Sequence, residues 1–219
     1  MKKNPIYSEP AMIAVLCLPF VYLLLIWNQL PATIPGHYGP TGQPDRYDSK
    51  ELLLAAFGLG SVLMYSLRFL PHLDPKRNLL GSTFLKIRLL INLFWSAFLG
   101  WFWYVSLHGI EPDSLITTVL IGTNLLLAGI GNLMYTLKPS FFVGIRTPWT
   151  LSNDTVWRKT HHLAGWLWVT GGLAGAVLVW LLPIDAKMPV SLGVTGLLVL
   201  IPAVYSYWVY RKVATITTP

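Results

Sequence analysis

The chain has 219 residues, 54% of them hydrophobic and 11% charged, and its mean hydropathy is +0.56. A soluble domain carries about 25% charged residues, so this composition excludes a water-facing globular enzyme, a disordered chain, a collagen and a disulfide scaffold. The single cysteine, Cys17, rules out an intramolecular disulfide, and the net charge of +7 has a distribution that speaks for one membrane leaflet rather than for nucleic acid.

A bilayer core about 30 Å thick needs roughly 20 apolar residues at helical rise. Six stretches meet that length in chain order, at about 11–30, 51–70, 88–107, 114–137, 163–183 and 190–210. They are near-continuously apolar and lack the alternation of barrel strands, so the expected fold is all-α, an integral membrane bundle of six transmembrane helices. The first span follows a basic start, as a signal peptide does. Its apolar run is longer than an h-region and no small-x-small cleavage site follows, so it reads as a retained anchor. Pro19 and Pro202 lie inside spans and should bend them.

Orientation comes from the cations in alternate connections. Lys2, Lys3, Arg68, Lys76, Arg77, Lys86, Arg88, Lys138, Arg146, Arg158, Lys159, Arg211 and Lys212 fall on one side, and Arg46, Lys50 and Lys187 on the other. The positive-inside rule then puts both termini of this multi-pass protein in the cytoplasm. Asp45, Asp48, Glu51, Glu111, Asp113 and Asp185 collect on the outer side. The spans themselves carry no acid, which lowers proton-relay and cation-transport readings.

Two connections are long and polar. The outer one, within 31–50, holds four prolines and three glycines between Leu30 and Lys50 and should fold as a compact chain of turns. Its candidate ligand-binding residues are His37, Asp45 and Lys50. A His/Asp pair without a third ligand is weak evidence for a metal, so no metal or other cofactor is assigned. The bland alternative is a cap in which Asp45 and Asp48 pair with Arg46 and Lys50.

The inner connection, 138–162, follows a fourth helix that Pro139 should end. Its apolar run 141–145 either lies in the interface or folds back into the bundle. Ser152 or Asn153 can N-cap a new helix with Asp154 in its first turn. There Asp154 and Arg158 should pair at i, i+4, and Trp157 and His161 share a face. Trp149 and Trp157 suit the headgroup belt. Asn92, Asn124 and Asn132 should face the bundle and find partners, with Asn132 placed to orient the inner loop. Small residues at Thr118…Gly122, Gly171…Gly175 and Gly172…Ala176 favour close packing of the fourth and fifth spans.

Two groups of motifs resemble a known pair. Leu30-Pro-Ala-Thr-Ile-Pro-Gly-His37 with Gly42-Gln-Pro-Asp45 and Ser49-Lys50 resembles the N-terminal domain of unknown function that often precedes SdpI-type modules. Gly131-Asn132, Lys138-Pro139, Gly144-Ile-Arg-Thr-Pro-Trp-Thr150 and Trp157-Arg-Lys-Thr-His161 resemble the signature of the SdpI family of bacterial membrane proteins. Where the family commonly has Asn after Lys-Pro, this chain has Ser140.

The resemblance implies a two-helix unit at 1–70 and a four-helix module at 71–219. It also implies an immunity or signalling protein that meets a secreted killing peptide outside and a transcriptional repressor inside. Its inner-face residues would be Asn132, Lys138, Arg146, Thr147, Trp149, Thr150, Trp157, Lys159 and His161, with no catalytic residue. Two alternatives remain open at this stage. One is a membrane enzyme that holds a phosphorylated or lipid-linked substrate on Lys138, Arg146 and Lys159, with His161 as acid or base. The other is a small-molecule or lipid transporter.

Overall fold

The computed structural model describes residues 5–39, 43–76, 81–109 and 111–217. Lys2, Lys3, Arg77 and Gly42, which enter the charge count or the loop motif, lie outside the described residues. The elements are α1 (Glu9–Ile26), β1 (Thr33–Tyr38), β2 (Pro44–Ser49), α2 (Lys50–Ser66), α3 (Leu70–Leu73), α4 (Gly81–His108), α5 (Pro112–Met134), α6 (Pro148–Ser152), α7 (Asp154–Leu181) and α8 (Ile184–Thr217). Six of these helices are long and apolar enough to cross a membrane.

The fifth span starts nine residues earlier than its apolar run, at Asp154, because Asn153 caps it by accepting the Thr155 and Val156 N–H groups. The interfacial helix and the span are therefore one continuous α7. Leu24, Leu25, Trp180 and Val204, at 69–76% exposure, form part of the surface a bilayer would cover.

The outer loop is not a chain of turns. It is an antiparallel hairpin in which Thr33 pairs with Ser49, Ile34 with Asp48 and Pro35 with Tyr47. Both strands of a two-stranded sheet are edges, so Pro35 and Pro44 are tolerated there. Ile34 is buried and drives the hairpin into a cluster with Leu23, Ile26, Leu30, Leu53, Phe102, Trp103, Val105 and Leu115. A Cβ on Gly36 would sit 1.9 Å from Asp48 Oδ2, so that position has room only for glycine. The end of the molecule with the hairpin is called the hairpin face, and the opposite end, with the α5–α7 connection, the basic face.

Pro19 and Pro202, the two prolines deep in the spans, are each matched by a donor on a neighbouring helix. Proline has no N–H, so it leaves the carbonyl four residues earlier without its helical partner. For Pro19 that carbonyl is Val15 O, and Ser96 Oγ on α4 donates to it at 2.7 Å. For Pro202 it is Leu198 O, and Trp168 Nε1 on α7 donates to it at 2.7 Å. In hydrocarbon no water could take that place.

The fourth and fifth spans pack directly, as the small residues suggest. Added Cβ atoms on Gly172 and Gly175 would lie 2.6 Å from Asn124 O and 2.2 Å from Asn124 Oδ1. Asn124 is fully buried and donates to Leu120 O and to Ser191 Oγ on α8. The other two asparagines depart from expectation. Asn132 is exposed on the outside of α5, because Gly131 takes the contact with α7. Asn92 is buried but neither side-chain polar atom has a partner among the described residues.

Arg88, counted above as a leaflet cation, is 2% exposed and holds Glu9 through two hydrogen bonds of 2.6 and 2.8 Å. Arg68 approaches the same carboxylate at 3.7 Å. This pair joins the first turn of α1 to α4 and the end of α2. At the hairpin face, buried Lys187 on α8 donates to Asp113 and Thr117 on α5.

The Pro202 contact makes a specific prediction. Trp168→Phe should destabilise the protein by about 1 kcal/mol, the scale of a hydrogen bond inside a membrane protein. In a Pro202→Ala background, where residue 202 regains its N–H, the same substitution should cost less. Denaturant unfolding in micelles on the four proteins of this double-mutant cycle measures the difference.

Candidate functional site

The connection from α5 to α7 must turn the chain through non-helical residues at the membrane surface, so its backbone groups need partners other than a helix. Side chains supply them. Trp157 is 2% exposed and its Nε1 donates to Leu137 O at 2.9 Å, beyond the end of α5. It belongs to a buried cluster with Ile87, Met134 and Leu137, which overturns its expected belt role. His161 stacks on it, ring centroids 4.0 Å apart. His161 Nε2 accepts the Ile145 N–H at 3.0 Å, so the ring proton must sit on Nδ1, which faces Trp157 O at 2.8 Å. Both ring nitrogens are occupied by backbone.

Gly144 makes that contact possible. Its φ of +112° disfavours any side chain, and an added Cβ would lie 2.5 Å from His161 Nε2 and 2.9 Å from the Trp157 ring. Next along the chain, Thr147 and Thr150 form a reciprocal capping box on α6, and Thr150 also donates to Ile145 O. Thr147 Oγ1 and Trp149 Nε1 both reach Ser206 on α8. Trp149 thus fastens the turn to the last helix.

Ser140 is fully buried and works in both directions at once. It donates to Asp74 Oδ2 at 2.6 Å and accepts from the Phe142 and Val143 N–H groups at 3.1 Å each. At the position where the family commonly has Asn, the short Ser140 hydroxyl thus both donates and accepts, with Asp74 within its reach. Asp74, just after α3, is 2% exposed and also accepts the Lys76 and Phe141 N–H groups. Burial pushes its pKa up, but the Ser140 hydroxyl and the Lys76, Phe141 and Phe142 N–H groups outweigh burial, so the carboxyl stays below its ordinary value.

Comparison with known proteins bears on this turn. The model of the SdpI/YfhL protein family matches residues 136–206, and that of a domain of unknown function, DUF1648, matches residues 14–60. The immunity protein SdpI of Bacillus subtilis (strain 168) is 24% identical over 212 residues, covering 97% of this chain and 98% of that protein. Over residues 136–206 the chain is similar to the SdpI/YfhL protein family, and over nearly its whole length to that immunity protein. An uncharacterized protein of Archaeoglobus fulgidus is 45% identical over 52 residues, 22% of this chain and 28% of that protein. No solved structure matches the chain.

The SdpI-type residues separate into two sets. Gly144, Thr147, Thr150, Trp157 and His161 face inward and hold the turn. Lys138, Arg146 and Lys159 are exposed. Arg146 donates to Phe141 O at 3.0 Å on the rim of the turn. Lys138 and His161 border an open cavity of about 410 Å³ with Asp154 and Arg158, whereas Lys159 borders a neighbouring one of about 530 Å³ with His162 and Tyr205. Lys138, Arg146 and His161 therefore do not converge on a single pocket. The expected Asp154–Arg158 ion pair is not among those formed by the described residues.

On the hairpin, His37 Nδ1 lies 2.6 Å from Asp45 Oδ1 in an exposed pair, and Arg46 pairs with Asp48. Lys50 does neither. Its Nζ donates to Trp27 O at 2.9 Å and to Leu30 O, and lies over the Trp27 ring, tying the end of α1 to the start of α2. Sequence reading missed Asp74 and Ser206, and quoted Gly144 only as part of the signature motif. Its positive φ is visible only in the fold. Nothing local marked Asp74 or Ser206, whose partners lie 66 and 59 residues away.

Gly144→Ala should destabilise the fold by on the order of 1–3 kcal/mol, the strain of a side chain at such a φ with a clash added. Thermal unfolding in detergent reads this out. Asp74 gives a pH prediction. Its folded pKa lies below the unfolded one, so its stabilisation is complete above the ordinary carboxylate value near ~3.9 and is lost as pH falls through the depressed value. Hydrogen exchange at the Phe142 and Val143 amides should be slow at neutral pH and lose protection in acid, and Asp74→Asn should lower protection already at neutral pH.

Proposed function

We propose that this chain is a membrane immunity protein of the bacterial cytoplasmic membrane. It binds a secreted killing peptide or a related ligand at the hairpin face and engages a cytoplasmic regulator, of transcriptional-repressor type, at the basic face. The observation that carries this reading is the end-to-end match to the Bacillus subtilis immunity protein, which leaves no large part of either chain unpaired. The cation count supports a cytoplasmic basic face and cytoplasmic termini. In this reading the unit at 1–70 supplies the hairpin that meets the peptide, and the module at 71–219 supplies the signature turn. Exposed Lys138, Arg146 and Lys159 are the contacts offered to the regulator and to anionic lipid headgroups.

The same geometry weighs against turnover. A general acid or base needs a nitrogen free to move a proton, and both nitrogens of His161 are committed to the backbone. The closeness of α5 to α7 at Gly172 and Gly175 weighs against a polar path along that seam.

The test is a killing curve. Expression in a bacterium sensitive to an Sdp-type peptide should shift the lethal peptide concentration upward, and an unchanged curve at normal membrane levels removes the immunity reading. Arg146→Ala should leave membrane insertion and protection intact and abolish recruitment of a repressor to membranes, followed by co-sedimentation. Gly144→Ala should reduce both through loss of folded protein.

A further inference from the structure

A second cavity, of about 280 Å³, lies at the opposite end of the molecule from the signature turn. Its roof is the hairpin at His37–Gly39, and its walls come from Phe57 of α2, Phe98 and Phe102 of α4, Ile116 and Val119 of α5, and Met188 of α8. It is lined almost wholly by apolar side chains. Phe98 lies ten residues before the end of α4, so the cavity reaches about 15 Å down from the hairpin face. Its upper rim is wet, since the His37 side chain is 61% exposed. The segments matched by the two family models, 14–60 and 136–206, both contribute to it, through Gly36–Phe57 and through Ile184 and Met188.

The charge around this rim selects among occupants. Six acids on the hairpin face, Asp45, Asp48, Glu51, Glu111, Asp113 and Asp185, stand against Arg46, Lys50 and Lys187. Arg46 is spent on Asp48, Lys187 on Asp113, and Lys50 on two backbone carbonyls. Glu51, Glu111 and Asp185 form no ion pair among the described residues. Asp185 adjoins Ile184, which lines the cavity. An apolar slot under an anionic rim repels an anionic lipid headgroup and attracts a cationic group carried on an apolar body.

We propose that the cavity beneath the hairpin is the docking site for an apolar segment of a cationic peptide arriving at the hairpin face. This rests on the immunity reading for the peptide's origin and adds where it binds. The peptide inserts apolar side chains between Phe57, Phe98 and Ile116, and its cations lie against Glu51, Glu111 and Asp185. His37 and Asp45 sit at the entrance, so the hairpin contributes the lip of the site and not its floor.

The experiment uses the full chain in nanodiscs of neutral phosphatidylcholine with a synthetic Leu/Lys peptide carrying a photo-reactive leucine. Cross-links mapped by mass spectrometry should concentrate on Phe57, Ile116 and Met188, and a charge-reversed Leu/Glu twin should label these positions roughly tenfold less. Ile116→Trp, and from the opposite wall Met188→Trp, should fill the cavity and remove the label while the unfolding temperature is kept. Leu178→Trp, at an exposed position on α7, should change nothing. Labels spread over Leu24 and Trp180, or labels insensitive to both filling variants, overturn the proposal. So does a photo-reactive phosphatidylcholine that labels the cavity and is not displaced by the peptide. Protected cells with the peptide labelled elsewhere would leave the immunity reading standing and remove this site. A labelled cavity in cells that gain no protection would do the reverse.

Discussion

A backbone carbonyl or amide that loses its helical partner inside a bilayer has no water to turn to, and the rest of this structure follows from that constraint. Several interruptions of a helix are met by a side chain from somewhere else. Ser96 answers Pro19, Trp168 answers Pro202, and Trp157 answers the carbonyl of Leu137. The longest interruption, between α5 and α7, is met by Ser140, Thr150 and His161 together. These contacts explain why α7 begins as a polar helix well before its apolar run. Its first two turns have to reach the turn they hold.

The signature therefore reads as a folding device with a charged rim. Thr150, Trp157 and His161 are turned inward and each removes a backbone group from the list of unsatisfied ones, and Gly144 leaves them the room to do so. Around them stands an exposed fringe of cations, Lys138, Arg146, Arg158 and Lys159. A residue pattern that is long and specific can thus be structural at its centre, with charged side chains exposed beside it. The same division holds on the hairpin, where Ile34 and Lys50 hold and His37 and Asp45 are displayed.

Sequence reading was well placed for the parts governed by composition and periodicity. The six spans, the close fourth–fifth contact through glycines and the Asn153 cap all follow from local patterns and appear in the structure. It was poorly placed where one polar group is answered from far along the chain. Arg88 looked like a leaflet cation because its partner Glu9 lies 79 residues away. Trp157 looked like a belt residue because its burial depends on Leu137 and Ile87, which only the fold brings near. The hairpin was read as turns because proline and glycine dominate it. Period-two alternation is faint in Thr33–Tyr38, where a single residue, Ile34, is buried.

Any influence of one face on the other must pass through elements that touch both. α4, α5 and α8 line the cavity beneath the hairpin, and the same three helices reach the signature turn, through Ile87 in α4, Met134 in α5 and Ser206 in α8. α5 is fixed against α7 by glycine contacts with no space for a methyl group. α4 is fixed at its basic end by Glu9. α8 differs, because its hydrogen-bond ladder is already broken at Pro202, between Met188 in the cavity wall and Ser206 at the turn. The break is held by one side-chain bond from Trp168 rather than by the helix itself. A coupling between faces needs an element with two arrangements, and among these three helices α8 is the one whose backbone has least to lose by bending.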